Sequence, residues 1–265
     1  MKTKKTNKQL LNKRLKEIHL PTIRACYEDV AKEAVKNNMG YEDFLFELVE
    51  LEAVDRKQRR IDRLLKQSGL PLQKNIDTFD LKRLPLKEVQ KVKSLLDGDF
   101  TEKQENVLAF GNPGSGKTYL LCAIGQNLVR NGKKVYFSSC NLLVQELLAA
   151  KKELKLAKIL KKLSAYDTLI IDDIGYVQQN REEMEVLFAL FAERYERGSI
   201  MISSNLPFSK WEQIFKDPMT TAAAIDRLVH HSVILELNLS SFRLEEARKR
   251  TDKNKGKIKT RTGKN

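Results

Sequence analysis

The stretch GNPGSGKTY, residues 111–119, sets three glycines ahead of a lysine and a threonine. The types and spacing fit GxxxxGK[ST], in which successive backbone amides form a concave cradle for phosphate. Side chains at Gly114 and Gly116 would block close approach of the anion. Lys117 can reach the β- and γ-phosphates, and the Thr118 hydroxyl can ligate Mg²⁺. The whole run of Gly111, Asn112, Pro113, Gly114, Ser115, Gly116, Lys117, Thr118 and Tyr119 is therefore expected to hold ATP. An ordinary glycine-rich turn between strand and helix is the competing explanation.

A second set of polar residues follows. In TLIIDDIG, 168–175, two aspartates end an apolar run. Asp172 is expected to hold Mg²⁺, directly or through water, and Asp173 to orient or deprotonate the attacking water. A strand ending in a turn, with Asp173 as a helix cap, would read the same way in isolation. Asn205 closes the next apolar run, SIMISSN, where an amide can hold that water or contact the γ-phosphate. A turn built by Asn205 and Pro207 is the alternative. Arg227 lies just ahead of the last apolar run and offers a guanidinium for phosphoryl charge, or a surface ion pair with Asp226. His230 and His231 have no carboxylate or cysteine at metal-like spacing, so packing or surface roles are expected of them.

Such residues need elements to carry them. Apolar runs at 106–110, 134–138, 168–172, 199–203 and 232–237 alternate with helical patterns. Near-continuous apolar strands separated by helices predict a parallel sheet covered on both faces. Carboxylates at strand ends then meet the phosphate site at the carboxyl edge of that sheet. Residues 8–70 read as helical, with a long helix bounded by Gly40 and by Gly69 and Pro71. Four divisions result: a basic arm and helical domain over 1–70, a linker and leading helix over 71–100, the α/β domain over 101–247, and a tail over 248–265.

The net charge is +14, and both ends carry it. Residues 1–16 hold seven Lys/Arg and no acid, and 248–265 hold nine against Asp252. The body between them is nearly neutral, so the ends read as disordered polycationic arms for an anionic polymer. Lys151, Lys152, Lys155, Lys158, Lys161 and Lys162 make a second basic stretch, and Arg56, Arg59 and Arg60 a third. Lysines and arginines so grouped contact phosphate without reading sequence. A solvated amphipathic helix is the plainer account of the lysine stretch. No run of eighteen apolar residues and no signal peptide is present, and the three cysteines lack metal spacing. A cytoplasmic location with reduced thiols is expected.

The ordered series GNPGSGKT, LIIDDIGY, RYERGSIMISSNLPFSKW and AIDRLVHHS resembles the IstB-like family, ATPase helpers of insertion-sequence transposases. The helical segment FLFELVELEAVDRKQRRIDRLLKQSGLP is similar to that family's N-terminal domain, so the likeness runs over roughly 10–247. The resemblance implies an AAA+ fold, a three-layer α-β-α domain with a parallel sheet behind a small all-helical domain. It implies an ATP- and Mg²⁺-dependent ATPase that forms a ring or spiral of identical subunits, binds and remodels duplex DNA, and recruits a transposase, with no membrane. It makes Lys117 and Thr118 the Walker A pair, Asp172 and Asp173 the Walker B pair, and Asn205 the polar sensor. Arg227 becomes an arginine finger for a neighbour's ATP. The basic segment 140–163 corresponds to an element lining a DNA channel in initiator-type relatives, with Lys151, Lys152, Lys155 and Lys158 as DNA contacts. Two departures stand out. Asp173 replaces the usual Glu, which implies slow hydrolysis, and too little chain follows 237 for a full helical lid. Arg243 stands where the family has the arginine of Ser-Tyr-Arg. A helicase loader of the DnaC type shares the ATPase core and is the nearest alternative. A small-molecule kinase is a more distant one.

Overall fold

The computed structural model describes residues 2–175, 181–211, 218–239 and 241. Two compact units divide between Arg63 and Leu64, seven residues earlier than the boundary at 70 expected from sequence.

The first unit contains α1 (Lys2–Glu17), α2 (Pro21–Lys36) and most of α3 (Tyr41–Ser68). The basic arm expected to be disordered is largely helical, because α1 has something to pack against. Leu15 is buried with Ile23, Val30 and Leu48, beside Tyr27 and Phe44. Lys8 adds an exposed ion pair to Glu28 at 2.6 Å. Helix α2 begins with Pro21, which leaves the following amides free to be capped. Glu52 of α3 supplies the cap, accepting from the Thr22 and Ile23 amides at 2.8 and 3.2 Å. Leu45, next to the half-buried Phe44, is exposed.

The second unit is the α/β domain. Its strands are β1 (Asn106–Gly111), β2 (Val135–Ser139), β3 (Thr168–Ile174), β4 (Ser199–Ser204) and β5 (Ser232–Leu237). All the pairings are parallel, in the order β2-β3-β4-β1-β5. Each strand falls within two residues of its expected place, because buried parallel strands leave runs of Val, Ile and Leu. Side chains alternate between the faces. Leu108, Leu169, Ile171, Ile200 and Ile202 enter one core with α6 (Cys140–Lys152), α7 (Leu156–Ser164), α8 (Arg181–Arg194) and α9 (Pro218–Val229). Val107, Ala109, Ile170, Met201 and Leu235 enter the other with α4 (Leu86–Asp97) and α5 (Lys117–Arg130). Three layers result.

The segment 71–100 is packed rather than a free linker. Leu84, Val92, Leu95 and Phe100 belong to the second core. Gln126 of α5 donates to the Pro71 and Lys74 carbonyls at 2.9 and 3.1 Å, and Asn127 donates to Leu96 at 2.6 Å. The leading helix is present as α4, closed by Gly98 in the left-handed conformation. Beyond β5 only residues 238, 239 and 241 are described, so the expectation of a missing lid falls outside the described residues. The tail 248–265 and Arg243 lie outside the described residues. Cys26, Cys122 and Cys140 form no disulfide, and burial pushes the Cys122 thiol up to about 12. No described helix is long and apolar enough to cross a membrane.

Candidate active site

The loop between β1 and α5 sits at the carboxyl edge of the sheet. Two of its glycines are closely approached by residues that follow β5 or end it. A Cβ on Gly111, whose φ is 153°, would lie 2.2 Å from the Leu237 carbonyl oxygen at the end of β5. A Cβ on Gly114, at φ 80°, would lie 2.2 Å from the Ser241 hydroxyl. The loop delivers its last residues to the N-terminus of α5, where the helix dipole favours an anion. The Ser115 hydroxyl is buried there without a hydrogen-bond partner. A cradle of bare backbone with an unsatisfied hydroxyl suits a phosphate group.

Lys117 is almost wholly buried and spans the loop. Its ammonium donates to the Gly111 and Asn112 carbonyls at 2.8 and 3.0 Å and to Asn205 Oδ1 at 2.5 Å. Asn205 in turn donates through Nδ2 to Asp173 Oδ1 at 3.0 Å. One amide thus joins the lysine of the loop to the second carboxylate.

The aspartate pair owes its geometry to a β-bulge. Ile171 of β3 pairs with Ile202 of β4, but Ile174 pairs with Ser204. Asp172 and Asp173 therefore face the single residue Ser203, and a bulge of this type re-aims side chains. Asp173 takes φ 65°, a region sparsely used by residues other than glycine. Ser203 holds the turn together. Its oxygen accepts from the Asp173 amide at 2.8 Å, and its hydroxyl donates to Asp172 Oδ1 at 2.6 Å. Thr118 also donates to Asp172 Oδ1, at 2.7 Å. Hydroxyl and carboxylate oxygens converging in this way are the hard donors that Mg²⁺ takes.

Ser203 was visible in the sequence only as part of a polar strand end, and nothing there marked it as the bridge. The neighbouring turn is equally built. Ser204 is buried, donates to the Ile174 carbonyl at 3.0 Å and accepts from the Leu206 amide at 3.1 Å. Trp211 donates to the Leu206 carbonyl at 3.1 Å and lies beside Phe208, which meets Phe110 edge to face. Asn205 is therefore fixed from both sides. Tyr119 faces the segment before α4. Its hydroxyl bonds to Thr78 and donates to the Gln73 carbonyl, and its ring lies 5.5 Å from Phe79. A Cβ on Gly116 would lie 3.2 Å from that Phe79 ring. The sequence did not mark residues 73–79 as neighbours of the loop.

Arg227 is not in this cluster. It sits near the end of α9, which precedes β5, so it lies at the opposite edge of the sheet. Leu228 beside it accepts from Asn106, the first residue of β1, at 3.1 Å. The guanidinium donates to the Ala223 carbonyl at 3.0 Å and lies 4.7 Å over the Phe188 ring. The expected DNA contacts are dispersed. Lys151 pairs with Glu185 at 2.7 Å and Lys155 with Glu153 at 2.8 Å, while Lys152 and Lys158 are exposed. In the first unit Arg59 is bound to Glu52 at 2.9 Å and Arg56 donates to the His19 carbonyl at 2.8 Å, while Arg60 is exposed.

The sequence profile described as IstB-like ATP binding protein matches residues 13–250. The chain belongs to the IstB-like ATP-binding family. Its relatives agree. It is 41% identical over 234 residues to an insertion sequence ATP-binding protein of Sinorhizobium fredii, covering 88% of this chain and 78% of that one. With the insertion sequence IS5376 ATP-binding protein of Geobacillus stearothermophilus it shares 37% identity, over 94% of this chain and 99% of that one. Among solved structures it is similar to AMPPCP-bound DnaA from Aquifex aeolicus, with a TM-score of 0.54 and 19% identity over 70% of this chain and 56% of that one. DnaI is similar at a TM-score of 0.54 and 18% identity, over 63% of this chain and 94% of that one. These likenesses give the AAA+ fold. The IstB-like chain is thus an ATP-binding ATPase.

Proposed function

We propose that this IstB-like chain is an ATP-gated helper of transposition, which assembles on duplex DNA, remodels it and brings a transposase to it. The carrying observation is the placement of Arg227 at the sheet edge opposite Lys117, Asp172 and Asp173. Strand β1 is six residues long, which separates the two edges by about 20 Å. A guanidinium so placed serves the phosphate site of a neighbour rather than its own. A head-to-tail contact of this kind repeats around a ring or along a spiral.

The chemistry follows from the residues present. The loop amides and Lys117 bind the phosphates. Thr118 and Asp172 would hold Mg²⁺, which offsets phosphate charge when bound. Asp173 accepts the proton of the attacking water, and Asn205 keeps that carboxylate in line with Lys117. An aspartate reaches one methylene less far than glutamate, so hydrolysis is slow and the assembled state long-lived. Arg227 from the next subunit stabilises charge on the transferring phosphoryl.

For DNA, the exposed Lys152, Lys158 and Arg60 and the polycationic ends supply phosphate contacts without base readout. Bending a site costs a few kcal/mol, which repeated contacts along an oligomer offset. The relatives in Sinorhizobium fredii, Geobacillus stearothermophilus and Pseudomonas aeruginosa are named as ATP-binding proteins of insertion sequences, which supports a transposase as partner. A helicase loader would share the core. The insertion-sequence relatives match nine-tenths of the chain, including the helical unit that would have to bind the helicase, and that favours transposition.

The test combines assembly and partner. With ATP and duplex DNA, sedimentation should show large complexes that dissolve on ADP exchange and weaken steeply with salt. A transposase of the insertion-sequence type should be retained on those complexes. Retention of a replicative helicase instead, or assembly indifferent to ATP, would overturn the proposal.

A further inference from the structure

At the amino edge of the sheet, away from the phosphate site, Glu196, His230 and His231 come together. One ligand atom from each lies within 4.8 Å of the others. The two histidines are adjacent in sequence, with ring centroids 4.2 Å apart. Glu196 is 34 residues upstream, so the cluster exists only in the fold.

Both turns that carry it are anchored. Glu196 follows α8 in the left-handed conformation, at φ 55°. The buried Arg194 pins that turn, donating to the carbonyls of Tyr166 at 2.6 Å and of Asp167 and Ser199 at 3.0 Å. The His230 amide continues the last turn of α9 by donating to the Asp226 carbonyl at 3.0 Å. The His231 carbonyl accepts from the Asn106 amide of β1 at 2.7 Å. Tyr195 adds a hydroxyl 3.4 Å from His230 Nδ1, an outer partner that orients the ring. The backbone is thus held, and only exposed side chains need turn for the ligand atoms to close on an ion.

We propose that Glu196, His230 and His231 form a site for a divalent transition metal of the zinc class. Two imidazoles and one carboxylate are the borderline donor set that Zn²⁺ takes in three-ligand sites, with a fourth position open. The set differs in kind from the oxygen donors at Thr118 and Asp172, which suit Mg²⁺. It lies beside Arg227, which lines the same shallow cavity as Glu196 and His231.

The full-length chain without nucleotide is titrated with Zn²⁺ against a chromophoric chelator. One ion per chain is expected. Glu196→Gln and His231→Asn should each weaken binding by at least the roughly ten- to hundredfold that loss of an outer-shell partner already costs. The triple variant with His230→Asn should abolish it, while nucleotide affinity stays at the wild-type value as a check on folding. His19→Asn and Cys26→Ser should leave zinc affinity unchanged. Co²⁺ in place of zinc should give a four- or five-coordinate spectrum without thiolate charge-transfer bands. No saturable binding, or binding that survives in the triple variant, would overturn the site.

Discussion

At the scale of single residues, Lys117 and Asp173 carry separable tasks. In the proposed function Lys117 supplies charge-assisted contacts to phosphate, each worth about 1.5–3 kcal/mol. Lys117→Ala should therefore weaken nucleotide binding about 10- to 100-fold, read by titration with a fluorescent ATP analogue. Wild-type affinity in that variant would remove Lys117 from the phosphate site. Asp173→Asn keeps the shape and the bond from Asn205 Nδ2 only if the amide oxygen faces it. It removes the proton acceptor in every orientation. Binding should persist while steady-state hydrolysis falls about 10²-fold or more. Unchanged hydrolysis would make the strained backbone at Asp173 a structural feature alone.

Among elements, the junction of α8 with the sheet depends on one buried guanidinium. Burial lowers Arg194 to about 10, yet it remains charged at neutral pH and satisfies carbonyls from the end of α7, the turn before β3 and the start of β4. Gly198 gives it room. A Cβ there would lie 2.3 Å from Arg194 Nη2 and 2.5 Å from Cζ, and the bonded guanidinium has no free direction to retreat. Gly198→Ala should cost about 1–3 kcal/mol of stability, seen as a lowered midpoint in thermal unfolding. An unchanged midpoint would show that the α8–β4 turn relaxes freely. The same turn bears Glu196, so the variant should also loosen any ion held there.

For the whole molecule, the finger role proposed for Arg227 would make activity a property of the assembly. Arg227→Ala should bind ATP normally and lose about 10³-fold in hydrolysis, the low end of what an arginine finger contributes. Mixing Arg227→Ala with Lys117→Ala should restore part of the rate, because one subunit offers an intact phosphate loop and the other an intact finger. Co-assembly is first established with differently tagged chains. A flat rate across mixing ratios would then place Arg227 outside the neighbour's site.

The sequence by itself determined the glycine loop, the five strands and the aspartate pair near the end of β3. These are local matters: glycine spacing, apolar runs and the residue that terminates a strand are written within ten residues of one another. Lys117, Thr118, Asp172 and Asn205 were legible for that reason. The tertiary structure decided what depends on register and on chain crossings. It set Ser203 opposite the two aspartates, which needs the bulge between β3 and β4. It turned Arg59 toward Glu52, because that carboxylate caps a helix 30 residues upstream. It packed 71–100 on α5, where the sequence showed only scattered leucines. It put Arg227 at the far edge from Lys117, and it carried Glu196 to His230 and His231. Such meetings bring together residues tens of positions apart, and no periodicity in a chain records which of its distant turns will share an edge of the sheet.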